Sequence, residues 1–322
     1  MSVLNQIIDR CRARRPRIVL PEGDDPRVQE AALKAEADGL ADIVLLSGAD
    51  ASLPPAANVV TPETSPDLAR YANAYFELRR AKGMTEEKAH EIAATPLAYA
   101  ALMVREGDAD GTLGGAVATT SDTVRTALQI IGRAPGVETV SSSFLMILAE
   151  PHNRPVVFAD CGLILQPNAE EHAAIALASA DTLTALTGEA PRIAFLSFST
   201  KGSVPAGAHE SLGRIHRAME IVADKAPDLP VDGELQFDAA IVPDVAERKA
   251  PGSPIEGAAN VFVFPSLSAG NIGYKIAQRL GHATALGPIL QGLAKPANDL
   301  SRGASVEDIY NMIAITGAQV KT

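Results

Sequence analysis

Eight residues near the C-terminus hold a hydroxyl (Ser301), a permanent cation (Arg302), a glycine (Gly303) and a carboxylate (Asp308). Ser305 followed three residues later by Asp308, just ahead of Ile309 and Tyr310, is the pattern of a helix N-terminus. A serine and an arginine on the loop before a helix start are placed to grip an anion, with the unpaired backbone N–H groups adding to the attraction. The same spacing has a plainer account, in which Ser305 is the N-cap and Asp308 its N3 partner.

Three other loops carry chemistry-bearing residues. In the run from Gly111 to Arg125, Gly114 and Gly115 permit close backbone approach, and Thr119, Thr120, Ser121 and Thr123 line up hydroxyls where a helix begins. Arg125 falls in the first turn, where a cation opposes the helix dipole by about 0.3–1 kcal/mol, so either an anion or a surface carboxylate must offset it. The run from Ser197 to Ser203 contains Lys201 and Gly202 but lacks the spacing of a Walker A loop; it is a solvent turn or a weak anion contact. In the run from Phe264 to Arg279, Gly270 and Asn271 open a helix, and Arg279 sits in its last turn, where a cation is favourable by itself. No strand is followed by G-x-G-x-x-G, which argues against a dinucleotide site.

The elements that must position these loops alternate along the chain. Strands are expected at 18–20, 42–46, 111–117, 142–148, 156–159, 193–199, 235–241, 261–264 and 283–286. Helices are expected at 26–38, 122–131, 169–186, 208–223 and 271–280. That alternation is the mark of an α/β protein with largely parallel sheets, in which ligands gather beyond the carboxyl ends of strands. A length of 322 residues exceeds one ordinary core and implies two domains, with the Pro/Gly-marked stretch 133–137 as the crossing.

Composition narrows the function. A net charge of −11 opposes nucleic-acid binding and requires a local basic cluster for any anionic ligand. With no tryptophan and few aromatic residues, base stacking cannot be the main hold on a nucleotide, and the core is expected to be aliphatic and Ala-rich. Cys11 and Cys161 have neither metal nor disulfide spacing, and the six histidines form no metal motif. The N-terminal residues Val3, Leu4, Ile7, Ile8 and Cys11 make one face of an amphipathic helix, and no apolar run reaches membrane-span length, so a cytoplasmic protein without membrane contact is expected.

Six phrases in order resemble the phosphate acetyltransferase family across nearly the whole chain: Tyr75–Arg79, Thr119–Arg125, Ser197–Ser203, Gly233–Ala239, Ala269–Lys275 and Lys295–Gly303. The resemblance implies reversible acetyl transfer between CoA and phosphate, with CoA, acetyl phosphate and inorganic phosphate as ligands and no cofactor or metal. It implies two α/β domains with an interdomain cleft, of isocitrate/isopropylmalate dehydrogenase-like architecture, in a homodimer. By it, domain one is 1–137 plus 291–322 and domain two 138–290. Ser301, Arg302 and Asp308 match the family's catalytic serine, arginine and aspartate. Arg79, Arg125 and Arg279 match arginines that bind CoA or support activity, while Thr119, Thr120, Ser121, Lys201, Gly202 and Asn271 lie in motif loops expected to contact substrate. The chain departs from the family pattern at Ser266, at Ala304 where a cysteine is common, and at Gly162–Pro167. These changes bear on substrate preference more than on the reaction. The alternatives are a butyryl-preferring acyltransferase, a non-catalytic acetyl-CoA sensor, and a dehydrogenase of similar architecture.

The reaction so implied is direct attack of the CoA thiolate on acetyl phosphate, since no nucleophile–base pair suggests an acyl-enzyme. Asp308 takes the thiol proton, Arg302 binds phosphate and the developing oxyanion, and Ser301 orients the thiol or that oxygen. Ordinary pKa values near 3.9 for aspartate and 8.5 for a thiol leave a gap worth about 6 kcal/mol. Burial of the acid or arginines beside the thiol must narrow it.

Overall fold

Ser2 caps the first helix by accepting the N–H of Asn5, and that helix, α1 (Val3–Arg14), buries Ile7 and Cys11. The computed structural model describes residues 2–48 and 58–320, and the chain divides into two units, Met1–Val137 with Leu293–Thr322, and Glu138–Gly292.

In the first unit α1 leads into β1 (Arg17–Leu20), α2 (Pro26–Ala37), β2 (Asp42–Leu46) and β3 (Val59–Val60). Three helices follow, α3 (Leu68–Arg79), α4 (Glu86–Ala93) and α5 (Pro96–Glu106), then β4 (Gly111–Gly114) and α6 (Thr120–Ile130). Asp25 caps α2 and Pro26 opens it, a residue with no N–H to lose at that position. Its buried Val28, Ala31, Ala32 and Ala35 recur at helical spacing and lay one stripe on the sheet. The expected strand 111–117 stops at Gly114. Gly115 has φ +101°, and a Cβ there would strike Asp299 and Leu300, so the chain turns where only glycine fits.

The second unit runs β5 (Ser141–Ile147), β6 (Pro155–Ala159), α7 (Ala169–Thr187), β7 (Ile193–Leu196), α8 (Glu210–Lys225) and β8 (Val231–Leu235). After these come α9 (Phe237–Ile241), α10 (Pro243–Lys249), β9 (Val261–Val263), α11 (Leu267–Arg279) and β10 (Thr284–Gln291). The expected strand 235–241 is therefore wrong: only Leu235 is strand, and Phe237–Ile241 is helical. Alternating Leu235, Phe237, Ala239 and Ile241 imitate a strand, but the Gln236 N–H is drawn off by the Thr200 hydroxyl at 2.9 Å. Helix α11 starts four residues earlier than expected, because Ser266 accepts the N–H of Ala269 as its cap. The aliphatic-core expectation also fails locally. Buried Phe158, Phe262 and Phe264 pack as edge-on or tilted rings with centroids 5.2–5.4 Å apart, and exposed Phe237 lies against two of them.

The chain then returns to the first unit as β11 (Ala297–Asp299) and α12 (Val306–Ala318). Among the described residues the first sheet has the order β11-β4-β1-β2-β3, parallel throughout. The second has the order β10-β5-β6-β9-β7-β8, antiparallel where β5 meets β10 and β6, and parallel beyond. The α/β reading with largely parallel sheets thus holds. Helix α12 is buried from Ile309 to Ala318, so the last helix is core rather than a tail.

Candidate functional site

The parallel sheet of the first unit sends three adjacent strands, β11, β4 and β1, into loops that lead to α12, α6 and α2. Their register makes neighbours of residues distant in sequence, with Asp299 opposite Gly114 and Ile18 opposite Gly111. Beyond the carboxyl ends of these strands lie the Ser301–Ser305 loop, the Gly115–Thr119 turn and the Glu22–Asp25 loop.

Ser301, Arg302 and Gly303 are exposed. The Ser301 hydroxyl accepts the Gly303 N–H at 3.3 Å, while the Arg302 guanidinium makes no hydrogen bond or ion pair among the described residues. Asp308 is half-buried and completes a capping box: its Oδ2 accepts the Ser305 N–H at 2.9 Å and the Ser305 hydroxyl at 2.8 Å, and its own N–H donates to Ser305 Oγ. Its Oδ1 makes no hydrogen bond among the described residues. One oxygen of the carboxylate is thus fixed by the helix start, and the other is left open to a donor from outside the helix.

The cationic residues separate into paired and unpaired sets. Arg125 is tied to its own helix, donating to the Ser121 hydroxyl at 2.8 Å and lying 3.3 Å from Asp122. Thr119 caps α6 and donates to Asp122 at 2.7 Å, and Thr120 donates to Asp299 at 2.7 Å. The hydroxyl run is therefore engaged within the fold. In the second unit the Lys201 ammonium is paired with buried Asp232, and the Gly202 N–H donates to Glu234 at 2.8 Å. Burial alone would push the Glu234 carboxyl up, but hydrogen bonds from Gly202, His216 and Ser199 outweigh it and hold the group below its ordinary range. Asn271 donates to the Cys161 carbonyl at 3.1 Å and accepts from Lys275.

Arg79 and Arg279, by contrast, carry no ion pair among the described residues, and Arg79 Nε is buried without a partner. Arg79 lines a cavity of about 470 Å³ in the first unit together with Lys82, Arg105, Leu78, Leu128 and Gly132. Three cations and the apolar Leu78, Leu128 and Ile130 line it without an aromatic ring, so the cavity is positively charged and partly apolar.

Two nucleophile questions resolve on burial. Both thiols are fully enclosed. Burial pushes Cys11 up to about 12 and Cys161 well above the ordinary thiol value, so neither is a thiolate at neutral pH. No cluster of metal-ligating side chains occurs among the described residues.

Three residues escaped sequence reasoning. Asp299, 1% exposed, ends β11 two residues before Ser301, and burial pushes its carboxyl up to about 6 against the pull of the Thr120 and Thr123 hydroxyls. Its Oδ1 is buried without a hydrogen bond. Glu22 and Arg27 lie on the loop after β1 and at the start of α2. Glu22 accepts the N–H groups of Ala116, Val117 and Ala118 at 2.7, 3.0 and 2.7 Å. Arg27 donates to the carbonyls of Arg302, Ala304 and Ala116 at 2.9, 2.9 and 3.0 Å. The signal that could have found them is their place beyond the carboxyl end of a parallel strand, the rule already applied to the other loops.

Residues 2–317 match the family model described as "Phosphate acetyl/butaryl transferase". Over 325 aligned residues, covering all of both chains, the sequence is 54% identical to a phosphate acetyltransferase of Paracoccus denitrificans. A phosphotransacetylase structure from Streptococcus pyogenes, 42% identical, superposes with a TM-score of 0.92 over 99% of each chain. A 4-hydroxythreonine-4-phosphate dehydrogenase from Klebsiella pneumoniae, 15% identical with a TM-score of 0.52 over 95% of this chain and 100% of that one, is alike in fold alone.

Proposed function

Because the chain belongs to the phosphate acetyl/butyryl transferase family, we propose that it interconverts acetyl-CoA and phosphate with CoA and acetyl phosphate by direct transfer. The observation that carries this reading is the Arg302 guanidinium, unpaired and exposed beside Ser301 on a loop that ends in the Asp308 capping box.

The chemistry is one bond exchange at a carbonyl carbon. The CoA thiolate forms the S–C bond, the C–O bond to phosphate breaks, and the phosphate leaves with the bond's electron pair. Arg302 offers a planar fork to the phosphate oxygens and to the charge that develops on the carbonyl oxygen. Ser301 donates its hydroxyl to that oxygen or to the sulfur. Asp308 receives the thiol proton on Oδ1, with Oδ2 held by Ser305 so that the accepting oxygen keeps one orientation. The closed state of both cysteines supports direct transfer over an acyl-cysteine route.

The Arg79–Lys82–Arg105 cavity is assigned to the phosphorylated nucleotide end of CoA, on the support of the orphaned Arg79 Nε. Arg279 is assigned to a further phosphate contact. The internal bonds of Thr119, Thr120, Ser121, Arg125, Lys201, Gly202 and Asn271 favour a loop-shaping part for them beside any substrate contact. Exposed Ile272 and Ile276 on α11 and Leu280 at its C-cap form an i, i+4, i+8 stripe, which supports a homodimer as the working unit. No helix among the described residues is long and apolar enough to cross a membrane.

The test is to mix purified protein with CoA and acetyl phosphate and to follow thioester formation together with phosphate release. Equal amounts of the two products are expected. Binding of CoA without either product would sink the reading, and a panel of longer acyl phosphates sets the chain-length preference.

A further inference from the structure

Ser301, Arg302 and Gly303 are exposed, and among the described residues the support their own loop gives is a 2.9 Å bond from the Ala304 N–H to the Ser301 carbonyl and the Gly303 contact to the Ser301 hydroxyl. A loop so lightly held needs outside contacts to keep a hydroxyl and a guanidinium in one geometry. Those contacts come from the other end of the sequence. Arg27 Nη1 donates to both the Arg302 and Ala304 carbonyls, so the carbonyls of the two residues flanking Gly303 converge on one nitrogen. Arg27 Nη2 reaches the Ala116 carbonyl, and Asp25 holds the other edge of the fork, accepting from Nε at 3.0 Å and Nη2 at 2.7 Å. That hydrogen bonding from Arg27 holds the Asp25 carboxyl below its ordinary range, as a permanent pair requires.

Glu22 completes the arrangement. The three consecutive N–H groups of Ala116, Val117 and Ala118 form an anion-binding concavity of the kind that cradles phosphates. Here both oxygens of an internal carboxylate fill it. Ala116 is thereby gripped at both ends, its N–H by Glu22 and its carbonyl by Arg27. The turn before α6 and the loop before α12 are fastened to one strand-to-helix loop, and the substrate's phosphate is left to the Arg302 side chain.

We propose that Glu22 and Arg27 are positioning residues for acyl transfer, bracing the Ser301–Arg302 loop against the Ala116–Ala118 turn without touching substrate. This rests on the reading that Ser301 and Arg302 carry the chemistry. A displacement of about 1 Å at reacting groups can lower a rate about 100-fold while leaving binding contacts elsewhere in place.

The experiment measures kcat, the KM for CoA and for acetyl phosphate, and the melting temperature for Arg27→Gln, Arg27→Lys, Glu22→Gln and Arg302→Gln, each on folded protein at 25 °C. Arg27→Gln is expected to lose about 100-fold in kcat with the KM for CoA within about threefold, and to regain about tenfold when guanidinium ion is added. Arg27→Lys keeps one donor direction and is expected to lose about tenfold, as is Glu22→Gln, neither regaining activity with guanidinium. A folded Arg27→Gln protein with kcat within twofold of the parent overturns the proposal, as does a kcat loss matched by an equal rise in the KM for CoA. If Arg27→Gln does not fold, Glu22→Gln decides: an unchanged kcat overturns the brace, and a tenfold loss at constant KM for CoA supports it. Normal turnover by Arg302→Gln overturns the underlying reading and the brace together, whereas a dead Arg302→Gln beside a fully active Arg27→Gln removes the brace alone.

Discussion

The Ser301–Asp308 loop and the turn around Lys201 start from similar ingredients and end in opposite states. Each follows a strand of a largely parallel sheet, and each offers hydroxyls, one cation and a glycine beyond the strand's carboxyl end. In the first, Arg302 makes no ion pair among the described residues, and the neighbouring carboxylate, Asp308, is held by a helix cap. In the second, the adjacent strand β8 presents Asp232 and Glu234, both about 2% exposed or less, and they capture the Lys201 ammonium and the Gly202 N–H. A buried carboxylate leaves a cation nowhere better to go, because separating the pair would strand a charge in a poor solvent. What leaves the cation of one loop unpaired and ties up that of the other is the neighbouring strand, not the loop's own residues.

That contrast can be broken at several points. The largest effect is expected for Arg302→Lys, which keeps the charge but loses the fork; kcat should fall by about 10³-fold, near 4 kcal/mol of transition-state stabilisation. Steady-state kinetics showing less than a tenfold loss would mean that a point charge suffices. Asp308→Asn keeps an acceptor for the cap and removes the proposed base, so kcat should drop by about 10²–10³-fold with substrate KM values nearly constant. Turnover close to that of the parent would move the base elsewhere.

Lys201→Met should act on the other side of the comparison. It strands the Asp232 carboxylate, which is worth about 2–3 kcal/mol once the part-exposure of the ammonium is allowed for, and calorimetry should record a melting temperature lowered by several degrees. Turnover per folded molecule should change little. A tenfold rise in the KM for CoA at an unchanged melting temperature would instead make Lys201 a substrate contact.

The last effect, no larger than that at Lys201, is expected at Asp299, whose carboxyl stands at about 6 in the fold. Between about pH 4 and pH 6 the native state binds this proton more tightly than the unfolded chain, so stability falls as pH rises through that window. The loss amounts to about 2–3 kcal/mol. Asp299→Asn should flatten that part of the stability curve, measured by urea unfolding at pH 4.5 and pH 7. An unchanged slope would show that the carboxyl is ionised throughout.

Much of this molecule was legible in the order of its residues. The α/β alternation follows from β-branched runs between Ala-rich helical stripes. The start of α12 was legible because capping is local chemistry confined to Ser305 and Asp308. Elsewhere local pattern misled: Leu235 to Ile241 alternate like a strand, yet Thr200 takes the N–H of Gln236 and the chain turns into a helix. Nor could a count of few aromatic residues foresee that four of the eight phenylalanines would gather in one core cluster of the second unit.

The sequence by itself determined most of the elements, the cap of α12 and the set of candidate cations, since these depend on residues within a turn or two of one another. Only the tertiary structure decided which cations are paired, that Asp299 is shut away from water, and that Arg27 reaches across 275 positions to the Arg302 carbonyl. The physical reason is that charge pairing and desolvation depend on distance through space. In a parallel sheet that distance is set by strand order, which no local stretch of sequence contains.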